Sequence, residues 1–179
     1  TDGRVLLRIT PDGTISTIAS GISTGGGMTD IAVMGSDYIA VDAGNNRLLR
    51  IKQDGTISVF ASSITRPRGM KATGSGVVVD GVGCSGGSSG GLYNIASDGA
   101  VSCIGVDTST GGYQSVALDG SNFVVYTYNG YKRITPNGTI SLIINPSLSG
   151  DGQGVGLLVA GTDIISALSY PPRLIRISP

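Results

Sequence analysis

The 179-residue chain contains no histidine, no tryptophan and no glutamate, and all twelve of its acidic residues are aspartate. Without histidine it lacks the side chain best suited to proton transfer near neutral pH, and Ser-His-Asp chemistry is excluded. Two cysteines with no histidine fall short of the four ligands that a structural zinc site wants. Charged residues make up 13% of the chain, about half the usual share, and twelve cations balance twelve anions. No basic field is therefore available to gather nucleic acid or anionic lipid. No apolar run approaches the roughly 18 residues that cross a bilayer, so membrane insertion is not expected. Lysine occurs only as Lys52, Lys71 and Lys132. A surface made of Gly, Ser, Thr and Asn in place of Lys and Glu is commoner outside cells, so an extracellular or secreted location is expected. The chain starts at Thr1 without an initiator Met or a signal sequence, which suits a processed mature protein and an excised segment equally.

What the chain has instead is glycine, thirty residues of it, and a repeat. The block reads LLRITPDGTISTIA at 6–19, LLRIKQDGTISVFA at 48–61, LYNIASDGAVSCIG at 92–105 and YKRITPNGTISLII at 131–144, with a truncated copy, LIRISP, at 174–179. Its isoleucines, Ile9, Ile51, Ile95, Ile134 and Ile177, follow one another at intervals of 42, 44, 39 and 43 residues. Self-similarity at this period marks propellers, solenoids and arrays. Thirty glycines and few aromatics fit short strands joined by tight turns, since an interior glycine costs a helix roughly 1 kcal/mol relative to alanine.

Four strand-like runs, A to D, fill each repeat. Strands A and B are nearly continuous apolar runs, such as Ile39-Ala40-Val41, Val77-Val78-Val79 and Phe123-Val124-Val125, and predict strands buried on both faces. Strand D alternates, with Ile15/Thr17, Ile57/Val59, Val101/Cys103 and Ile140/Leu142 expected on an inward face. Four antiparallel strands grading from buried to half-exposed describe a propeller blade. The predicted fold is therefore all-β, a β-propeller of four-stranded antiparallel blades, with about four to five blades in one domain spanning 1–179. Partial blades are expected at 1–20 and 155–179, and complete ones at about 28–61, 70–106 and 115–144. This count leaves two arrangements open: a compact ring whose ends pair, or an arc completed by further sequence or by other chains. The turns Asp12-Gly13, Asp54-Gly55, Asp98-Gly99 and Asn137-Gly138 predict C–D hairpins in which glycine supplies positive φ, and their Asp and Asn side chains are read as structural.

In such a meander the tight A–B and C–D turns share one face, and the long, dissimilar D–A and B–C connections share the other. Variable loops on a rigid scaffold are where binding concentrates. The residues expected there near the axis are Asp30, Arg68, Lys71 and Gln114, where strand A begins, with Asp42 and Asp80 at the end of strand B. Tyr113, Tyr128, Tyr131 and Tyr170 lie in or beside these loops, where a ring can stack on a sugar or a peptide. The plainer reading for Asp42, Asn45 and Arg47 is a capped B–C turn. For Arg8, Arg50, Arg133 and Arg176, which each precede the key isoleucine, it is a stem packed along a blade edge; Asn94 takes that place in one repeat. Cys103 is expected as a small inward thiol, and Cys84, in the glycine-rich loop 81–91, is placed to form a disulfide with it.

The stretch SDYIAVDAGNNRLLRIKQDGT, 36–56, resembles the NHL-repeat blade and the related gluconolactonase-like and virginiamycin B lyase-like propellers, through Asp42, Asn45/Asn46, Arg47 and Ile51…Asp54-Gly55. ITRPRGM, 64–70, is similar to the Pro-x-Gly lead into strand A of those blades. The resemblance implies that a six-bladed relative exists, but its catalysis does not carry over: lactonase-like members use a calcium-type site with an essential glutamate, and lyase members use histidine. The expectation is a non-enzymatic extracellular binding propeller for a glycan or a protein. The alternatives are a structural subunit of an extracellular assembly, self-associating through unfinished blades, and a metal-dependent lactonase- or lyase-like enzyme. No cofactor is expected, a calcium ion on Asp30, Asp42 or Asp80 being the remaining metal alternative.

Overall fold

Each copy of the repeat closes its own antiparallel sheet before the chain moves on. The computed structural model describes residues 4–22, 25, 27–84, 89–107, 113–127, 129–144, 154–169 and 172–178. The first sheet holds β1 (Arg4–Ile9) and β2 (Ile15–Ile22). Three four-stranded sheets follow. The first comprises β3 (Met28–Met34), β4 (Asp37–Asp42), β5 (Arg47–Ile51) and β6 (Ile57–Ser62). The second comprises β7 (Met70–Thr73), β8 (Gly76–Val82), β9 (Gly90–Ala96) and β10 (Val101–Asp107). The third comprises β11 (Tyr113–Asp119), β12 (Asn122–Thr127), β13 (Gly130–Ile134) and β14 (Ile140–Ile144). The last sheet holds β15 (Gly154–Ala160), β16 (Asp163–Ser169) and β17 (Pro172–Ile177). Every sheet is an up-and-down meander, and the innermost strands pack in chain order, β3 on β7, β7 on β11 and β11 on β15. This is an all-β propeller of four-stranded antiparallel blades. Among the described residues its one helical element is a 3₁₀ turn at Ala43–Asn45.

The block's period sets which side chains meet between blades. Its first residue faces the following blade and its second and fourth face the preceding one, because neighbours in a strand point to opposite faces. Leu48 thus packs with Tyr93 and Ile95, Leu92 with Ile134, and Tyr131 with Ile175 and Ile177. Burial of each such side chain stabilises the fold by about 1.5–3 kcal/mol. At the two ends of the arc the same positions lack a facing blade: Ile9 is 68% exposed and Leu174 75%, whereas Ile51 and Leu48 are fully buried.

The Asp-Gly turns have a second role that the repeat conceals. Gly55, Gly99 and Gly138 adopt φ of 84°, 92° and 86°. A Cβ on any of them would also run into a carbonyl of the preceding blade's outer strand, that of Ile18, Phe60 or Ile104 respectively. The turn therefore closes the seam between blades as well as the hairpin, whereas a Cβ on Gly13, in the first sheet, would meet nothing within 4 Å among the described residues. The neighbouring side chains hold these turns as expected: Asp54 Oδ1 accepts the Thr56 N–H at 2.9 Å and Asp98 Oδ1 that of Ala100 at 2.9 Å.

Two burial expectations are corrected. Strand β3 alternates instead of being buried throughout, with Ile31 43% and Val33 60% exposed. These side chains face the first sheet, whose β1 and β2 supply no inner strands to cover them. In the outer strands, Val59 and Leu142 are exposed, and the buried residues are Ala19, Ile22, Ala61, Gly105 and Asp107. Register shifts against β1, β5 and β9 move the inward position along the outer strand. For the same reason Cys103 is exposed, not a buried thiol, and it is bonded to Cys84 across a Cα–Cα distance of 5.5 Å. That bridge ties the B–C connection of its blade to the blade's outer strand.

Candidate functional site

The segment 63–69, which leads from β6 into β7, is fixed by backbone hydrogen bonds on both sides. Asn46, itself left-handed at φ 54°, accepts the Ile64 N–H at its carbonyl (3.2 Å) and the Arg66 N–H at Oδ1 (2.8 Å). Strand β8 supplies the other side: Val82 donates to the Thr65 carbonyl at 2.8 Å, and Arg68 donates to that of Asp80 at 3.2 Å. Ser63 and Arg66 are held at φ of 65° and 49°, unusual for residues with a Cβ. The result is a rigid turn that presents Arg66 and Arg68 to solvent.

Asp30 on β3 joins this turn to the hub. Its Oδ2 accepts the Met70 N–H at 2.7 Å and lies 3.7 Å from Lys71 Nζ, while Oδ1 accepts the Ile31 N–H at 2.8 Å. Thr29 adds a hydroxyl bond to the Arg68 carbonyl at 2.9 Å. Beneath them lies Asp80, fully buried, with Oδ1 accepting the Gly69 N–H at 2.6 Å and Oδ2 without a hydrogen-bond partner among the described residues. Burial pushes its pKa up to about 7, opposed by the Gly69 N–H and Arg68 and helped by the charge of Asp30. Four expected residues, Asp30, Arg68, Lys71 and Asp80, thus meet at the loop end of the seam between β3 and β7.

The others lie elsewhere. Asp42 is fully buried, with Oδ2 2.7 Å from Arg47 Nε and 2.9 Å from Asn45 Nδ2, and with Oδ1 accepting the Gly25 N–H at 3.3 Å. A buried carboxylate is tolerated only when paired and hydrogen-bonded in this way. The Gln114 side chain, Tyr128 and Tyr170 lie outside the described residues, as do the loop positions 23–24, 26, 85–88, 108–112 and 145–153. Tyr113 and Tyr131 are corrected from rim to core: both are buried, because they fill the seams on either side of the third full blade. Arg66 was not singled out from sequence. Its signal was the paired arginines of Arg66-Pro67-Arg68.

Chemically, the site offers exposed cations on a fixed backbone. Both oxygens of Asp30 are engaged by N–H groups, and Asp80 has no solvent-exposed surface. Among the described residues no three acidic or cysteine side chains converge as metal ligands would.

No protein-family model and no curated protein sequence matches the chain. Solved structures do. A nidogen/laminin complex contains a chain similar to this one with a TM-score of 0.77 at 14% identity, over 96% of this chain and 66% of the other. Virginiamycin B lyase from Staphylococcus aureus superposes with a TM-score of 0.67 at 15% identity, over 97% and 62%. A gluconolactonase from Xanthomonas campestris gives 0.68 at 15% identity, over 92% and 63%. What they share with this chain is the fold. The fold expected from the NHL-repeat, gluconolactonase-like and virginiamycin B lyase-like resemblance of residues 36–56 is the fold these structures share. The chain spans about three fifths to two thirds of these neighbours' lengths.

Proposed function

We propose that this chain is a non-enzymatic extracellular binding propeller that recognises a protein through the loop end of the β3–β7 seam. The observation carrying this reading is the turn 63–69, in which Arg66 and Arg68 are exposed on a backbone clamped by Asn46 and Asp80, beside Lys71 and Asp30. A backbone that is already fixed avoids the cost of ordering a loop on binding, and arginine is a frequent anchor of protein interfaces. Mixed charge suits a protein surface better than a neutral glycan. Support also comes from the nidogen/laminin neighbour, and from a sequence with no histidine or glutamate for the chemistry of the enzymatic neighbours.

The test places a photo-crosslinking residue at Arg66 and exposes the chain to extracellular protein fractions. A discrete adduct that is lost on Arg68→Glu/Lys71→Glu, with the melting temperature unchanged, is the expected result. Adducts indifferent to these substitutions, or calcium-dependent turnover of a lactone, would overturn the reading.

A second reading, a subunit of an extracellular assembly, is favoured by the uncovered seam positions Leu7, Ile9 and Leu174. Each internal seam joins a first-position face to a second- and fourth-position face, and the two ends of the arc carry one of each. Copies would associate head to tail. Sedimentation that is concentration-dependent, and abolished by Leu174→Asp, is expected on this reading; a monomer at all concentrations rejects it.

A further inference from the structure

On the opposite face, among the tight turns, a cleft of about 480 Å³ opens between the second and third full blades. Its origin lies in one interrupted copy of the repeat. In the first full blade Arg50 crosses to the next blade, donates to the Ser97 carbonyl at 3.1 Å, stacks 4.7 Å over Phe60 and pairs with Asp37 at 3.4 Å. The equivalent arginines of later sheets are also paired, Arg133 with Asp119 at 2.7 Å and Arg176 with Asp163 at 2.6 Å. In the second full blade every member of this set is smaller and uncharged. Strand pairing puts Asn94 in the place of Arg50, Gly76 in that of Asp37, Ile104 in that of Phe60 and Thr73 in that of Asp119. Asn94 stops short of Pro136, the counterpart of Ser97, and the space between is the cleft.

The lining is neutral. Ser75, Asn94, Ser102 and Ser121 give hydroxyl and amide groups that both donate and accept, while Thr73, also in the lining, has its Oγ1 buried without a hydrogen-bond partner among the described residues. Leu118, Ile104 and Phe123 form an apolar wall. Among the described residues no Asp, Lys or Arg lines it. The volume lies within the roughly 300–1,000 Å³ of small-ligand sites.

We propose that this cleft is a binding site for a neutral sugar unit, whose hydroxyls meet the Ser and Asn side chains while its C–H face lies on the apolar wall. The site is separate from the loop-end cluster and does not depend on it. Lost ion-pair partners that left only a packing defect would be expected to be refilled by larger apolar residues; here hydroxyls line the space instead.

Two-dimensional NMR titration with methyl pyranosides of glucose, galactose, mannose and N-acetylglucosamine tests the proposal. At least one should give saturable amide shifts at Ser75, Asn94, Ser102 and Ser121, at roughly millimolar concentration. Asn94→Arg restores the side chain of the other blades and should abolish these shifts. Ser102→Ala and Ser121→Ala, at exposed positions that leave the core untouched, should each weaken binding at least threefold with an unchanged melting temperature, and they decide the matter if Asn94→Arg does not fold. Glucuronate should bind at least tenfold more weakly than whichever of the four sugars binds most tightly. Absence of saturable shifts with all four sugars, shifts that survive Asn94→Arg, or equal binding of glucuronate would each overturn it.

Discussion

Replacing Asp80 with asparagine should make the protein more stable at pH 8 and leave it nearly unchanged at pH 4. The carboxyl is fully buried, and its pKa rises from 3.8 to about 7 because burial disfavours the anion. Between those values the native chain holds a proton that the unfolded chain has released, so stability is full below pH 3.8 and declines as pH climbs to about 7. A shift of this size corresponds to a ceiling of about 4 kcal/mol, at about 1.4 kcal/mol per pH unit. The amide introduced by Asp80→Asn would keep an oxygen for the Gly69 N–H and carry no charge, so the variant should lose that slope. For a chain of this length about 4 kcal/mol moves the melting temperature by roughly 10 °C. Thermal unfolding followed by circular dichroism from pH 4 to 8 measures it, and the aspartates not coupled to Asp80 cancel in the difference between wild type and variant, leaving Asp30 as the one partner that stays in it. A gap that is constant with pH, or a variant less stable at pH 8, would show that Arg68 and the Gly69 N–H keep Asp80 ionised and would refute the reasoning.

Truncation at one repeat position should depend on its seam. Leu48→Ala should cost about 2–5 kcal/mol in chemical denaturation, whereas Leu174→Ala should stay within roughly 0.5 kcal/mol. Alanine at Gly138 should destabilise by clearly more than the roughly 1 kcal/mol expected at Gly13, because both have positive φ but only Gly138 abuts the Ile104 carbonyl. Reduction of Cys84–Cys103, which are 19 residues apart, should cost about 3 kcal/mol by the loop-entropy relation, read as a lower urea midpoint.

The propeller was legible because its signals are local and repeated: an isoleucine about every forty residues, an Asp-Gly or Asn-Gly turn after it, and apolar runs between. Burial within the blade was less so. Ile31 and Val33 read as core, and their exposure depends on how far the neighbouring sheet reaches toward the hub. Strand direction placed Asp30, Arg68, Lys71 and Asp80 at the loop end along with Asp42 and Gln114, and gave neither the meeting of those four, nor the depth of Asp80, nor the left-handed Arg66. Asn94 was visible as the odd member of an arginine series, yet the cleft beside it was not. Aligning the blades on Asp42 and Asp80 places Ser75 opposite Asp37 in the repeat, and only the observed pairing, one residue out of step, puts Gly76 there.

Hydrogen–deuterium exchange of the chain with a protein captured through Arg66 tests most directly where recognition occurs. Protection at 63–71 and 29–31, with the turns at 53–56, 98–100 and 136–138 unchanged, is the predicted footprint. Protection confined to those turns, with 63–71 exchanging as in the free chain, would contradict it.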